Sequence, residues 1–242
     1  MKRIVIIGAT DGIGREVARR YIAAGWRVGI AGRRTERLEE LCRMAPERTV
    51  GETIDVTRPD APERLARLVE RLGGCDLLLH CAGIGYYNPQ LAPDRELETV
   101  RTNVEGFTRI ATAAFDLFRR QGGGHLAVVT SIAGTKGLGA AAAYSASKRY
   151  QSTYLDALAQ LSRMTGANVC ITDIRPGFVA TALLREGKYP MLMQPGRVAD
   201  RIVGALARKR RRVVIDRRYA LLVALWRAVP QWLWERLDIH SR

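Results

Sequence analysis

A chain of 242 residues with 47% hydrophobic content can bury a substantial core, which excludes a disordered protein. The formal net charge of +15, most of it arginine, admits nucleic acid, an anionic membrane surface or a phosphorylated ligand as partners. Four cysteines (Cys42, Cys75, Cys81, Cys170) without Cys-x-x-Cys spacing and three scattered histidines (His80, His125, His240) argue against a metal centre.

Met1-Lys2-Arg3 leads straight into Ile4-Val5-Ile6-Ile7, an apolar run too short for a signal-peptide core or a membrane span, and a cytoplasmic location is the expectation. Residues 3–7 read as a first strand, followed by an amphipathic helix over 12–24 that Gly25 closes. A second strand over 26–31 precedes a helix over 35–44 with Thr35 as its N-cap. A third strand covers 48–54 and a helix 61–72, stopped by Gly73-Gly74, and a strongly apolar fourth strand covers 76–80. A long helical stretch over 93–120, in one part or two, ends at Gly122-Gly123-Gly124. Then come a strand over 125–130, a helix over 144–164, a strand over 167–174, an irregular segment over 176–195, a helix over 198–208 and a last strand over 213–215. Continuous apolar strands alternating with helices predict an α/β fold, a doubly wound parallel sheet in residues 1–215, with a C-terminal amphipathic extension over 216–242.

Gly8-Ala9-Thr10-Asp11-Gly12-Ile13-Gly14 falls at the first strand-to-helix turn, where such a sheet binds a dinucleotide. Glycines let the backbone approach a pyrophosphate, and the helix N-terminus offers unpaired N–H groups. The second strand ends in Ala31-Gly32-Arg33-Arg34, without the carboxylate that would bind the ribose 2′-hydroxyl of NAD(H). Arg33 is expected to bond a 2′-phosphate and Arg34 to stack on adenine, while Asp11 opposes that phosphate, so NADP(H) is favoured over NAD(H).

Tyr144 and Lys148 stand four residues apart, on one face of a helix. A free phenol has a pKa of about 10, and a neighbouring ammonium stabilises its phenolate and lowers that value. The pair is a candidate proton donor.

In this order the motifs resemble those of the short-chain dehydrogenases/reductases of the Tyr-x-x-x-Lys type, over roughly positions 3 to 215. The signature glycines are Gly8, Gly12 and Gly14; Asp55-Val56 matches the adenine-contacting pair; Cys81-Ala82-Gly83 stands where the family has Asn-Ala-Gly. Asn103 matches the helix asparagine, Ser131 lies 13 residues before Tyr144, and Pro176-Gly177-Phe178-Val179-Ala180-Thr181 is similar to the segment that holds the nicotinamide. The resemblance implies a Rossmann fold and an oxidoreductase that interconverts a ketone and a secondary alcohol. It implies that Tyr144 exchanges the proton, Lys148 lowers the tyrosine pKa and bonds the nicotinamide ribose, Ser131 holds the substrate oxygen, and Asn103 anchors a water that relays protons to Lys148. It also implies a homodimer or homotetramer through helices near 95–120 and 144–164. Ile7 and Cys81 depart from the family's Thr/Ser and Asn, and both departures bear on stability.

The segment 182–195 carries Leu183, Leu184, Tyr189, Met191, Leu192 and Met193, a lid that suits a hydrophobic small-molecule substrate or packs on its own core. In the tail, Leu222, Leu225, Trp226, Val229 and Leu233 share a helical face that Pro230 interrupts. Two readings of the tail stay open: it packs on the domain or a second subunit, or it makes peripheral membrane contact through 208–237. The basic cluster Arg208-Lys209-Arg210-Arg211-Arg212 with Arg217 and Arg218 flanks a strand, where a solvated edge is the ordinary account, and no nucleic-acid partner is expected.

Overall fold

The computed structural model describes residues 2–184 and 189–238; four residues of the expected lid, 185–188, and the last four of the expected extension, 239–242, lie outside the described residues. Strands β1 (Arg3–Ile7), β2 (Arg27–Gly32), β3 (Thr49–Thr53), β4 (Leu77–His80), β5 (Gly124–Val129), β6 (Val169–Arg175) and β7 (Arg212–Val214) form one parallel sheet in the order β3-β2-β1-β4-β5-β6-β7. The helices are α1 (Gly12–Ala23), α2 (Thr35–Cys42), α3 (Ala61–Leu72), α4 (Pro93–Val100), α5 (Phe107–Arg120), α6 (Ala142–Thr165), α7 (Pro195–Ala207), α8 (Arg217–Ala228) and the short α9 (Gln231–Trp234).

Alternation along each strand divides the core. In β1, Ile4 and Ile6 pack with residues of α1, α2 and α7, whereas Val5 and Ile7 pack with residues of α3, α5 and α6. Because helices cover both faces, every residue from Ile4 to Ile7 is buried, which is why the strand reads as an unbroken apolar run. The chain reverses its direction of winding between β1 and β4, so the carboxyl ends of these two strands open a crevice at the switch point.

Three local features bear on the sequence reading, and the first departs from it. Thr35 does not cap α2; Arg34 holds that position, and the Thr35 hydroxyl pairs instead with the Thr53 hydroxyl at 3.0 Å, at the end of β3. The helical stretch over 93–120 is interrupted by a wide π-helical turn at Arg101–Gly106, which contains Asn103. The apolar face expected of the tail is divided by the break at Pro230. Leu222 and Trp226 pack on the core, as do the buried Tyr219 and Val223; the buried Trp234 packs on Trp226 with ring centroids 5.3 Å apart, while Leu221, Leu225, Trp232, Leu233 and Leu237 are exposed. The indole N–H of Trp234 donates to Gly137 O at 2.7 Å and Lys136 Nζ to Val229 O at 2.9 Å, so the tail is docked on the domain.

The basic cluster is partly paired. Arg211 and Arg212 both bond Asp156 Oδ1, at 2.6 and 2.7 Å, and Arg218 bonds Asp216.

Two buried histidines give the fold a defined acid sensitivity. Burial, aided by the charge of Lys148, lowers His80 to about 3, and burial with Lys209 lowers His125 to about 4. Both are ordinary in the unfolded chain, near 6.5. Their contribution to stability is therefore present above about pH 6.5 and is lost as pH falls towards 4. Carboxylates held low by partners, such as Asp76 beside Arg3, act only below about pH 4. The unfolding free energy, measured by urea denaturation, should fall steadily from pH 6.5 to 4, with a limiting slope of about 2.7 kcal/mol per pH unit for two protons. His125→Asn, which can keep a bond to the Thr172 hydroxyl now 2.8 Å from Nε2, should halve that slope. An unchanged slope would contradict the account.

Candidate active site

The glycine loop lies at the end of β1. Gly8 (φ +86°) is held by Gly8 N and Ala9 N donating to Ala31 O at 2.8 and 2.9 Å, bonds that fasten the turn although Ile7 supplies no hydroxyl. A Cβ at Gly14 would stand 2.1 Å from Gly8 O, and one at Gly8 would stand 2.6 Å from Ala82 N, so neither position admits a side chain. At Gly12 (φ +51°) a Cβ would meet the Thr181 methyl at 2.9 Å. The loop thus faces Cys81-Ala82-Gly83 after β4 and the segment after β6, leaving backbone where a bound group must approach closely.

Asp11 caps α1, accepting from Gly12 N at 2.7 Å, and its other oxygen pairs with Arg34 at 3.3 Å. Arg34 also donates to Thr10 Oγ1 at 3.0 Å. The guanidinium therefore lies across the loop and offsets the Asp11 charge. Arg33 is exposed at the end of β2. Asp55 accepts from Thr57 N and Oγ1 at 3.0 and 2.8 Å, and Val56 is buried against Gly106. Ile13 packs against the core beneath the loop. Burial pushes the Cys81 thiol up to about 12, so it stays protonated, while its backbone N–H bonds Ile7 O at 2.7 Å and ties β4 to β1.

The proton-transfer residues come from β5, α6 and the π-helical turn. Ser131 follows β5; its Oγ accepts from Ala133 N at 3.1 Å and lies 3.5 Å from Pro176 O. Beneath it, Thr130 donates to Asp173 at 2.6 Å, and the buried Arg175 neutralises Asp173 at 2.7 Å. This network fixes the strand ends from which Ser131 and Pro176 project. Tyr144 and Lys148 lie one turn apart on α6, as the spacing predicts. The Tyr144 ring packs so closely on Gly85 that a Cβ there would stand 2.5 Å away.

Lys148 Nζ donates to Val129 O at 3.2 Å and Gln151 Oε1 at 3.0 Å, and lies 5.8 Å from the Tyr144 ring centroid. Burial lowers its pKa to about 8, against the pull of Cys81 and Asp173. Burial likewise raises the Tyr144 phenol above its usual range, and the Ser131 hydroxyl, as a donor to the phenolate, pulls it partway back. The lowering of Tyr144 expected from Lys148 is outweighed in this arrangement. The ammonium is turned towards carbonyl oxygens and is itself weakened by burial, so desolvation of the phenol dominates. Asn103 is fully buried; Nδ2 donates to Ile84 O at 2.7 Å and Ser147 Oγ at 3.1 Å, and Oδ1 accepts from Ile84 N at 2.9 Å.

The short-chain dehydrogenase family model matches residues 2–189, which include strands β1 to β6, the glycine loop and Asn103, Ser131, Tyr144 and Lys148. The chain belongs to that family. An uncharacterized oxidoreductase of Myxococcus xanthus is 37% identical over 195 residues, covering 77% of this chain and 76% of the relative. Dehydrogenase/reductase SDR family member 7B of Bos taurus is 31% identical over 259 residues, covering 97% of this chain and 79% of the relative. Among solved structures, a short chain dehydrogenase from Burkholderia cenocepacia in complex with NADP superposes with a TM-score of 0.84 at 22% identity, covering 99% and 100% of the two chains. An actinorhodin polyketide ketoreductase with NADPH superposes with a TM-score of 0.76 at 27% identity, covering 88% and 95%. This short-chain dehydrogenase is accordingly an oxidoreductase of the NAD(P)-dependent class.

Two contributors to the site escaped the sequence reading. Tyr219 of α8 accepts from Phe178 N at 3.2 Å and donates to Pro190 O at 2.8 Å, and its ring fills the space beside Gly177. It clamps the segment after β6 to the start of the lid's return; a tyrosine on an apolar helical face was the available signal. Gln151 was legible only as an amide on the same helical face as Lys148.

Proposed function

We propose that the protein is an NADP(H)-dependent oxidoreductase that interconverts a ketone and a secondary alcohol on a hydrophobic substrate. The observation that carries this reading is the convergence of Ser131, Tyr144 and Lys148 beside a glycine loop that admits no side chain at Gly8 or Gly14. Gly8, Thr10, Gly12, Ile13 and Gly14 would hold the pyrophosphate; Asp55 and Val56 the adenine; Ala82, Gly83, Lys148, Pro176, Gly177, Val179 and Thr181 the nicotinamide half. When bound, the cofactor supplies or accepts hydride at C4 of its nicotinamide ring. Ser131 then orients the substrate oxygen and Tyr144 donates its proton to it, or takes one from the alcohol in reverse. NADP(H) is supported by the missing carboxylate after β2, by the exposed Arg33 and by Arg34 offsetting Asp11. Some solved neighbours are bound to NADP or NADPH and another to NADH.

A hydrophobic substrate is supported by the lid. Met193 is buried and bonded to Phe178 and Ala180, and Tyr189 packs on Phe178 with centroids 5.0 Å apart, while Leu183 and Leu192 stay exposed. A screen of ketones graded in size and lipophilicity, followed by NADPH oxidation, tests the reading. Turnover should rise with lipophilicity. Preference for small soluble carbonyl compounds would shift the substrate class, and binding of NADPH without any turnover would favour a cofactor sensor.

The exposed Leu97 and Val100 on α4, with Tyr150, Leu161 and Met164 on α6, support a homodimer or homotetramer through these helices. The outer face of the tail supports a cytoplasmic enzyme peripheral to an anionic membrane. No helix among the described residues is long and apolar enough to cross one, yet Leu221, Leu225, Trp232 and Leu233 are exposed beside Arg217, Arg218 and Arg236. The protein should co-sediment with phosphatidylglycerol vesicles in low salt, and less with Trp232→Ser. Equal sedimentation with phosphatidylcholine vesicles, or none with either, would sink the membrane reading.

A further inference from the structure

Gln151 follows Lys148 by three residues on α6 and so shares its face. Its side chain is 0% exposed, and an amide so placed needs partners for its donors and its acceptor. It finds them in two groups of the site: Oε1 accepts from Lys148 Nζ at 3.0 Å, and Nε2 donates to the backbone carbonyl of Asn103 at 2.9 Å. The orientation of the amide is forced, because an ammonium only donates and a carbonyl only accepts. The π-helical turn makes the second bond available. Phe107 N, which in an α-helix would bond Asn103 O, bonds Thr102 O instead.

We propose that Gln151 is a positioning residue for proton transfer, tying the Lys148 ammonium to the Asn103 carbonyl through a rigid amide where the family resemblance places a water. The inference rests on the reading of Tyr144 and Lys148 as the proton-transfer pair. A water at such a place can pass protons along; a carboxamide exchanges them far too slowly at neutral pH. The link therefore holds Lys148 in place without carrying protons to it, and protons reach Tyr144 from the substrate side of the cleft. The Asn103 side chain, bonded to Ile84 and Ser147, anchors the far end of the link.

The test compares Gln151→Met, which keeps the volume and removes both hydrogen bonds, with Gln151→Ala, which leaves room for a water between two polar partners. If Gln151 acts by holding Lys148, Met is the worse variant. If it acts only by packing, Ala is the worse, because it leaves a cavity. Two readouts are taken on the full chain. The first is the titration of Lys148 in the cofactor-free protein, followed by NMR of carbon-13-labelled lysine, with Lys148→Met in each background to assign its signal. The second is NADPH affinity by fluorescence. Gln151→Met, which takes an acceptor from the ammonium, should move the Lys148 midpoint to lower pH and weaken NADPH on the order of ten-fold, the scale of one hydrogen bond to a charged group. Gln151→Ala should stay near wild type in both. Wild-type behaviour of Gln151→Met in both readouts, or an Ala variant displaced as far as Met, would overturn the proposal. Gln151→Leu serves in place of Met should that variant fail to fold. A wild type that does not bind NADPH would refute the cofactor reading, and the Lys148 titration would still decide the role of Gln151.

Discussion

Tyr144→Phe is expected to lower NADPH-dependent ketone reduction by about 10²–10⁴-fold, the usual worth of a positioned general acid. NADPH affinity should stay within about three-fold, since a lost neutral hydrogen bond is worth only about 1 kcal/mol. The phenylalanine ring fits the same slot against Gly85, so the fold should be undisturbed. The direction of pH dependence follows from the raised phenol. Reduction needs the protonated form, which burial favours, so its rate should hold from neutral into alkaline pH. Oxidation of the alcohol needs the phenolate and should climb with pH over that range. Coupled assays in both directions, from pH 6 to 10, check this; a reduction rate that falls as soon as pH passes about 7 would indicate a lowered donor.

Lys148→Met should separate activity from stability. Turnover is expected to fall by about 10²–10⁴-fold, because the ammonium that supports the phenolate is removed. Stability at pH 7 should not fall with it. Burial depresses Lys148 from 10.5 to about 8, so keeping it charged at neutral pH costs the wild type roughly 3 kcal/mol. Leaving Val129 O and Gln151 Oε1 without their donor offsets about 1–3 kcal/mol of what the variant gains. The sign of the pH effect is fixed by the depressed pKa. The wild type has its full contribution above about 10.5 and loses it as pH falls towards 8. Relative to Lys148→Met, the wild type should therefore gain about 3 kcal/mol between pH 7 and 10.5, measured by urea unfolding. A constant difference across that interval would mean that Lys148 is not buried as a cation. The trade is the kind expected where function requires a destabilising group.

The sheet was legible because parallel strands buried on both faces appear as unbroken apolar runs; β1 begins and ends where Arg3 to Ile7 does, and the other strands fall within one or two residues. Tyr144 and Lys148 were legible because helical spacing alone places them on one face. Hidden features depend on contacts between distant segments. Nothing near Asn103 announces the π-helical turn, and nothing near Lys148 shows that its ammonium turns to Val129 O and Gln151. The raised phenol could not be read either, since desolvation is a property of the packed site. Thr35 looked like a cap because Thr53, which takes its hydroxyl, is remote in sequence. Arg34 looked free to stack because its bonds to Thr10 and Asp11 span 24 and 23 residues.

Isotope transfer from NADPH carrying deuterium at the transferable C4 position tests the hydride and proton assignments most directly. With a lipophilic ketone accepted in the screen, the wild-type protein should form an alcohol with one deuterium on the carbinol carbon, and Tyr144→Phe should form almost none. Alcohol formed without deuterium, or equal labelling by the two proteins, would contradict the assignment of hydride transfer to the cofactor and proton transfer to Tyr144.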